Sequence, residues 1–174
     1  MINTSLYNAI NIILLIVIVV LFSVGIYSNH LYTNTDIVNV KQGGMLNITY
    51  TYGLTEGCIG NQCFSYYSDK NYSAGVNVSI AALTFSIATI LVLAIAIVGC
   101  LTKFKHSKKI ACVCKLLGLY FMIIVIMLCL VFPSMVGEGK QFIISFETID
   151  YGLILVFVAT FLLAGMKLYW NIMN

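Results

Sequence analysis

Four stretches of this chain run for about twenty residues with almost no charge, and they constrain its fold more than any other feature. The first, about residues 9–27, holds the unbroken run IILLIVIVVLF, and the second, about 80–101, reads IAALTFSIATILVLAIAIVGCL. The third, about 110–132, is interrupted by Lys115; the fourth, about 149–170, carries Asp150 and Lys167 near its ends. A helix that crosses a bilayer needs roughly 20 apolar residues, so each run is long enough to span. Lys115 and Lys167 lie close enough to the ends for their ammonium groups to reach a headgroup layer. Composition points the same way: of 174 residues, 61% are apolar and 9% charged. A soluble domain carries about 25% charged residues. Lipid is therefore the expected solvent for most of the chain.

Lysine placement predicts an orientation. Between the second and third runs lies LTKFKHSKKIACVCK, with Lys103, Lys105, Lys108, Lys109 and Lys115, five of the nine basic residues. Short loops rich in lysine stay cytosolic, which puts residues 102–109 inside, together with both termini when the number of spans is even. The acidic residues Asp36, Glu56, Asp69, Glu138, Glu147 and Asp150 fall in or beside the other two connections, residues 28–79 and 133–148. Tyr169 and Trp170 are expected to anchor the inner end of span four as interface aromatics. A cleaved signal peptide over residues 1–28 would leave three spans. The segment before the first apolar run carries no lysine or arginine, and the run exceeds the about 7–15 residues of a signal-peptide core. Four spans are the expectation.

The first outer loop, residues 28–79, reads as strands. DIVNVKQ (36–42) alternates, Gly43–Gly44 marks a turn, and MLNITYTYGL (45–54) alternates again, a β-hairpin pattern. QCFSYYS (62–68) is a candidate third strand, and QFIISFET in the second outer loop a further one. The predicted fold is a membrane all-α four-helix bundle with a small extracellular antiparallel β-sheet. Pro133, the single proline, is expected to end the third helix.

Cys58 and Cys63 stand in the polar stretch GLTEGCIGNQCFSYY. About fifty residues make a small core that benefits from a staple. The outer side of a plasma membrane is oxidising, so a disulfide across the short turn IGNQ is expected. Zinc normally takes four ligands and only His30 lies nearby; a redox pair would read Cys-x-x-Cys. Three glycosylation sequons fall in the same loop, at Asn47, Asn71 and Asn77.

These residues resemble the claudin superfamily, which includes the peripheral myelin and epithelial membrane proteins, the channel gamma subunits and fungal cortical relatives. The family pattern is Gly-Leu-Trp, two residues, Cys, then a second Cys. Gly53, Leu54, Cys58 and Cys63 match it in type and order, while Thr55 stands in place of the tryptophan, an earlier outer-loop tryptophan is absent, and the cysteines are closer together. The resemblance implies a distant, claudin-like member in which strands from both outer loops form one sheet clamped by the cysteine pair. Tetraspanins and gap-junction proteins need cysteines in the second outer loop, which has none here, while a MARVEL-type four-span bundle also fits.

Cys100, Cys112 and Cys114 flank the basic loop, where juxtamembrane cysteines are candidates for palmitoylation or simply small apolar residues. The five lysines of that loop suit an anionic lipid surface as well as setting topology. His106 with Cys112 and Cys114 offers poor spacing and number for a metal.

No enzyme is expected: His30 and His106 fall on opposite sides of the membrane, no nucleophile is paired with a base, and the spans lack ionisable pairs. No cofactor, metal, nucleic acid or small-molecule substrate is implied. The expected partners are the lipid bilayer and either further copies of the chain or another membrane protein. One expectation is membrane organisation, adhesion or assembly through the outer sheet, with Tyr50, Tyr52, Tyr66 and Tyr67 as contacts or as cross-strand packing. The other is an auxiliary subunit of a larger ion channel or membrane complex. The short segments flanking the first and last spans, without the long scaffold-binding tail of typical claudins, weaken a junctional role and favour an accessory or organising one.

Overall fold

The computed structural model describes residues 4–28, 30–40, 44–65, 73–102, 106–136 and 149–173. Helix α1 (Thr4–Tyr27) leads into strands β1 (Tyr32–Val40), β2 (Gly44–Tyr52), β3 (Glu56–Ile59) and β4 (Gln62–Ser65), and then come α2 (Ser73–Leu101), α3 (Ser107–Val136) and α4 (Tyr151–Met173). The β-branched run in α1 has no strong helix propensity in water. A helix nevertheless satisfies every backbone N–H and C=O within the segment, the overriding demand where water does not reach.

The helices are apolar outside as well as inside. Phe161 is 73% exposed, Leu101 63% and Leu91 60%, while the interior is filled by Leu15, Ile18, Phe22, Leu93, Met122, Val125, Val156 and Leu163. Asn8–Tyr27, Gly75–Leu101 and Ser107–Phe132 are each long and apolar enough to cross a membrane; the apolar part of α4, Tyr151–Met166, is shorter among the described residues. Two buried or part-buried hydroxyls of α2 turn back on their own helix. Ser86 donates to the Ala82 carbonyl at 2.7 Å and Thr89 to that of Phe85 at 2.7 Å, so neither is left without a partner.

The most extensive helix contacts are α2 on α3 and α1 on α4, and smaller ones between α1 and α2 and between α3 and α4 close the ring. Small residues set the approach on the first pair. A Cβ on Gly99 would meet Ala111 and the Ser107 carbonyl at 3.2 Å, and one on Gly118 would meet Leu93 at 2.7 Å.

The strands form one antiparallel sheet in the order β1-β2-β3-β4. Three expectations need correction. Gly44 does not belong to a turn with Gly43: it lies within β2 opposite Val40, and residues 41–43 are outside the described ones. The third strand is Glu56–Ile59 rather than the stretch from Gln62, which forms the fourth. Pro133 does not end α3, which continues to Val136. A proline in the last turn of a helix forfeits only one intrahelical hydrogen bond, so the turn persists once the freed carbonyl finds another donor. Two helices begin elsewhere than expected: α2 starts at Ser73 rather than near Ile80, and α4 starts at Tyr151, two residues after Ile149, which bridges to Tyr32. The expected strand QFIISFET, residues 141–148, lies outside the described residues.

Candidate functional site: the sheet and its joint with the bundle

Strand alternation sorts the sheet into two faces. On one face a transverse row runs Tyr32, Tyr52, Gly57, Phe64, each opposite the next across the ladders. The following row on that face is Asn34, Tyr50, Ile59, Gln62. Burial falls along these rows. Tyr32 is fully buried and Tyr52 packs against the bundle core, whereas Ile59 on β3 and Phe64 on the edge strand β4 are 43% and 36% exposed. Tyr52 is therefore an inward packing residue, while Tyr50 is half-buried. Tyr66 and Tyr67, the other expected contacts, lie outside the described residues.

Cys58 and Cys63 face each other across β3 and β4 and form a disulfide. The hairpin turns through Gly60 and Asn61, with Gly60 at φ +58°, a conformation that only glycine takes without strain. Glu56, Cys58 and Cys63 bring ligand-type atoms within 4.8 Å of one another, the one such group among the described residues. The two sulfurs are bonded to each other and are not thiolates, so a single carboxylate remains and no metal site results.

Leu54 plugs the sheet into the bundle. It is 2% exposed, and its carbonyl accepts a hydrogen bond from the buried Ser79 hydroxyl of α2. The Gly53 amide donates to the Glu56 carbonyl at 2.9 Å, closing the turn that leads to β3. The pair Gly53–Leu54, picked out by sequence pattern, is thus a tie between sheet and helix. Thr55 beside it is half-buried.

A second tie joins the segments that flank the sheet. The Asp150 amide donates to the Leu31 carbonyl at 3.1 Å and the Gly152 amide to the His30 carbonyl at 2.9 Å. Asp150 caps α4: its carbonyl accepts from the Ile154 amide at 3.3 Å, and its Oδ1 accepts from the Tyr151 amide at 2.7 Å. The other carboxylate oxygen, Oδ2, accepts from the Thr33 hydroxyl and, at 3.0 Å, from His30 Nδ1. An ionised carboxylate has no proton to donate, so the imidazole carries its hydrogen on Nδ1 here. Partial burial pushes the Asp150 carboxyl up, and the hydrogen bonds from Thr33, Tyr151 and His30 outweigh it, leaving the group below its ordinary value. The His30 ring also stacks on Tyr151 at 5.0 Å. A third tie is the Tyr32 hydroxyl, which donates to the Cys129 carbonyl of α3 at 2.7 Å.

Sequence pattern did not pick out His30 as a structural residue, nor Tyr32, Thr33 or Ser79. An aspartate directly before an apolar run is an N-cap signal and was available for Asp150. Of the remaining candidates, Asn77 lies exposed on α2 and Asn47 lies in β2 opposite Ile37, while Asn71 is outside the described residues. Cys112 is exposed, Cys100 and Cys114 are half-buried and Cys129 is buried. Lys108 and Lys109 are exposed and Lys115 half-buried. Lys103 and Lys105 lie outside the described residues. Cys100, Cys112, Cys114, Lys108, Lys109 and Lys115 sit toward the end of α2 and the start of α3, away from the sheet, so the structure does not bring them together with the disulfide.

No protein-family model matches the chain, and no curated protein sequence matches it.

Proposed function

We propose that the chain is a non-enzymatic integral membrane protein with four spans that works through its sheet in membrane organisation, adhesion or assembly. The observation that carries this is the sheet itself: rooted in the bundle by three sets of hydrogen bonds, it presents Ile59 and Phe64 on a disulfide-closed hairpin. A rigid, anchored sheet with an apolar edge suits contact with another protein better than chemistry. The apolar outward faces of the helices support residence in lipid. In this reading the basic loop is cytosolic, the sheet is outside the plasma membrane, and the chain is a distant claudin-superfamily member. The Gly53–Leu54 anchor and the facing cysteines support that kinship, because both have structural work in the fold. Bilayer lipid and further copies of the chain are the partners.

Purification in mild detergent, followed by native mass spectrometry, tests the proposal. Homo-oligomers without other subunits are expected. Stoichiometric recovery with an unrelated large membrane protein would reject self-assembly and establish the auxiliary-subunit role instead. Orientation has its own check: an impermeant thiol reagent added to intact cells is expected to spare Cys112, and labelling of that residue would reverse the topology.

A further inference from the structure

The Tyr32 hydroxyl donates to the carbonyl oxygen of Cys129, and the residue four positions on from Cys129 is Pro133. In an α-helix that carbonyl accepts from the amide four residues on, and residue 133 is a proline with no amide hydrogen. The helix nevertheless continues to Val136, so the vacancy lies inside α3 rather than past its end. Water has no access to repair it, because Cys129 is fully buried and Phe132 is 1% exposed. An unpaired carbonyl in such a place is costly. The donor comes from another element altogether. Tyr32, the first residue of β1, is fully buried and places its hydroxyl 2.7 Å from the Cys129 oxygen. That same burial pushes the Tyr32 phenol above its ordinary range, so it keeps the proton it donates.

We infer that Tyr32 and Pro133 act as one device, in which the proline opens a carbonyl of α3 and the tyrosine closes it, fixing the sheet to that helix. Tyr32 is then a positioning residue. Its neighbours in the transverse row, Tyr52, Gly57 and Phe64, are carried by the same ladders, so a displacement of the end of α3 is passed to the exposed edge. An ordinary helix would offer the tyrosine only a carbonyl already paired.

A double-mutant cycle on the full chain in detergent separates this from simple burial of an aromatic ring. Tyr32→Phe keeps the ring and removes the donor; it is expected to lower the thermal midpoint by roughly 3–8 °C. Pro133→Ala restores an amide at position 133, so in that background Tyr32→Phe is expected to cost less than half as much. An equal cost in both backgrounds, or no cost in either, overturns the inference. If Tyr32→Phe does not fold, recovery of folded protein by adding Pro133→Ala supports it, and failure to recover it overturns it. Two further readouts report the bond and its reach. In protein labelled with carbonyl-¹³C cysteine, the Cys129 resonance should move in Tyr32→Phe and return in the double variant; a resonance that does not move counts against the hydrogen bond. Reduction of Cys58–Cys63 by a phosphine should accelerate roughly three- to tenfold in Tyr32→Phe through local opening of the sheet, and an unchanged rate overturns the coupling to the hairpin.

Discussion

The two main helix pairs are held by different means. α2 and α3 are neighbours in sequence, joined through residues 102–106, and they meet at small and apolar residues: Gly99 on Ala111 and the Ser107 carbonyl, Gly118 on Leu93, Phe85 beside Phe121 at 5.7 Å between ring centres. α1 and α4 lie at opposite ends of the chain, and at their crossing backbone comes close to backbone. A Cβ on Gly25 would meet the Gly152 carbonyl at 2.5 Å, and one on Gly152 would meet the His30 carbonyl at 2.6 Å. Beside that crossing run the amide bonds from Asp150 and Gly152 to the 30–31 segment. A hairpin of adjacent helices needs little more than complementary surfaces, because the connection already holds its ends close. Helices more than a hundred residues apart have no such help, and here the root of the sheet fixes their register. The sheet is thus the closure of the bundle as well as its exposed surface.

If that contrast is right, alanine at three glycines should rank in a fixed order. Gly152→Ala is expected to have the largest effect, with loss of folded protein or a thermal midpoint lowered by more than about 10 °C, because backbone must move to admit the methyl group. Gly99→Ala should cost only a few degrees, its nearest neighbours lying at 3.2 Å and including a side chain. Gly165, with nothing within 4 Å of a Cβ, should gain up to about 1 kcal/mol as alanine from helix propensity. Melting each variant in the same detergent tests the order, and equal costs at Gly152 and Gly99 would erase the distinction. Next in size comes Leu54→Ala. It empties a site that is 2% exposed at the tie to α2 and should cost about 2–5 kcal/mol by truncation at a buried site. An effect below about 1 kcal/mol would mean that Ser79 alone holds the sheet there.

The same contrast divides what was legible in the sequence from what was not. The helices were legible because uninterrupted apolar runs leave the backbone one way to pair, and the cysteine pair was legible because it stood alone in a polar loop. Both are local signals. β3 was missed since Gly57 gives EGCI no alternation to detect, and Gly44 reads as a turn residue although it pairs with Val40. The joint was hidden for a different reason: Thr33 and Asp150 are separated by 117 positions, and Tyr32 and Cys129 by 97. Tyrosine and aspartate are ordinary loop residues until the fold brings a partner to them. Pro133 misled for a related reason. Proline is read as a stop because it removes a hydrogen bond, and here a donor from β1 supplies another.

The disulfide acts on the exposed edge rather than on the closure, so its removal should be milder. Its loop is short, with the two cysteines five positions apart, and the chain-entropy estimate for so small a ring is about 2 kcal/mol. Cys58→Ser is therefore expected to leave the helices intact by circular dichroism and to lower the midpoint by several degrees. It should also make the segment between Ile59 and Ser65 the first site of proteolysis. A loss as large as that of Gly152→Ala would show that the hairpin, and not the 149–152 segment, holds the register of the bundle.

The smallest effect concerns the charge at the joint. Asp150 accepts hydrogen bonds from Thr33, His30 and the Tyr151 amide, and together these hold its carboxyl below the ordinary value of 3.8 despite the opposing pull of burial. A carboxyl with a lower pKa folded than unfolded adds stability above the unfolded value. That contribution fades as pH falls through 4 toward the folded pKa. The wild-type midpoint should therefore be flat in this term above about pH 5 and decline below pH 4. Asp150→Asn keeps a side-chain acceptor for the Tyr151 amide but carries no charge, so it should cost about 1 kcal/mol or less at pH 7. The gap between the two proteins should narrow as pH falls, because acid removes from the wild type what the substitution has already removed. Parallel midpoint curves from pH 7 to pH 3 would mean that the hydrogen bonds at Asp150 act independently of its charge. The tie between α1 and α4 would then rest on the two backbone bonds and the glycine contact alone.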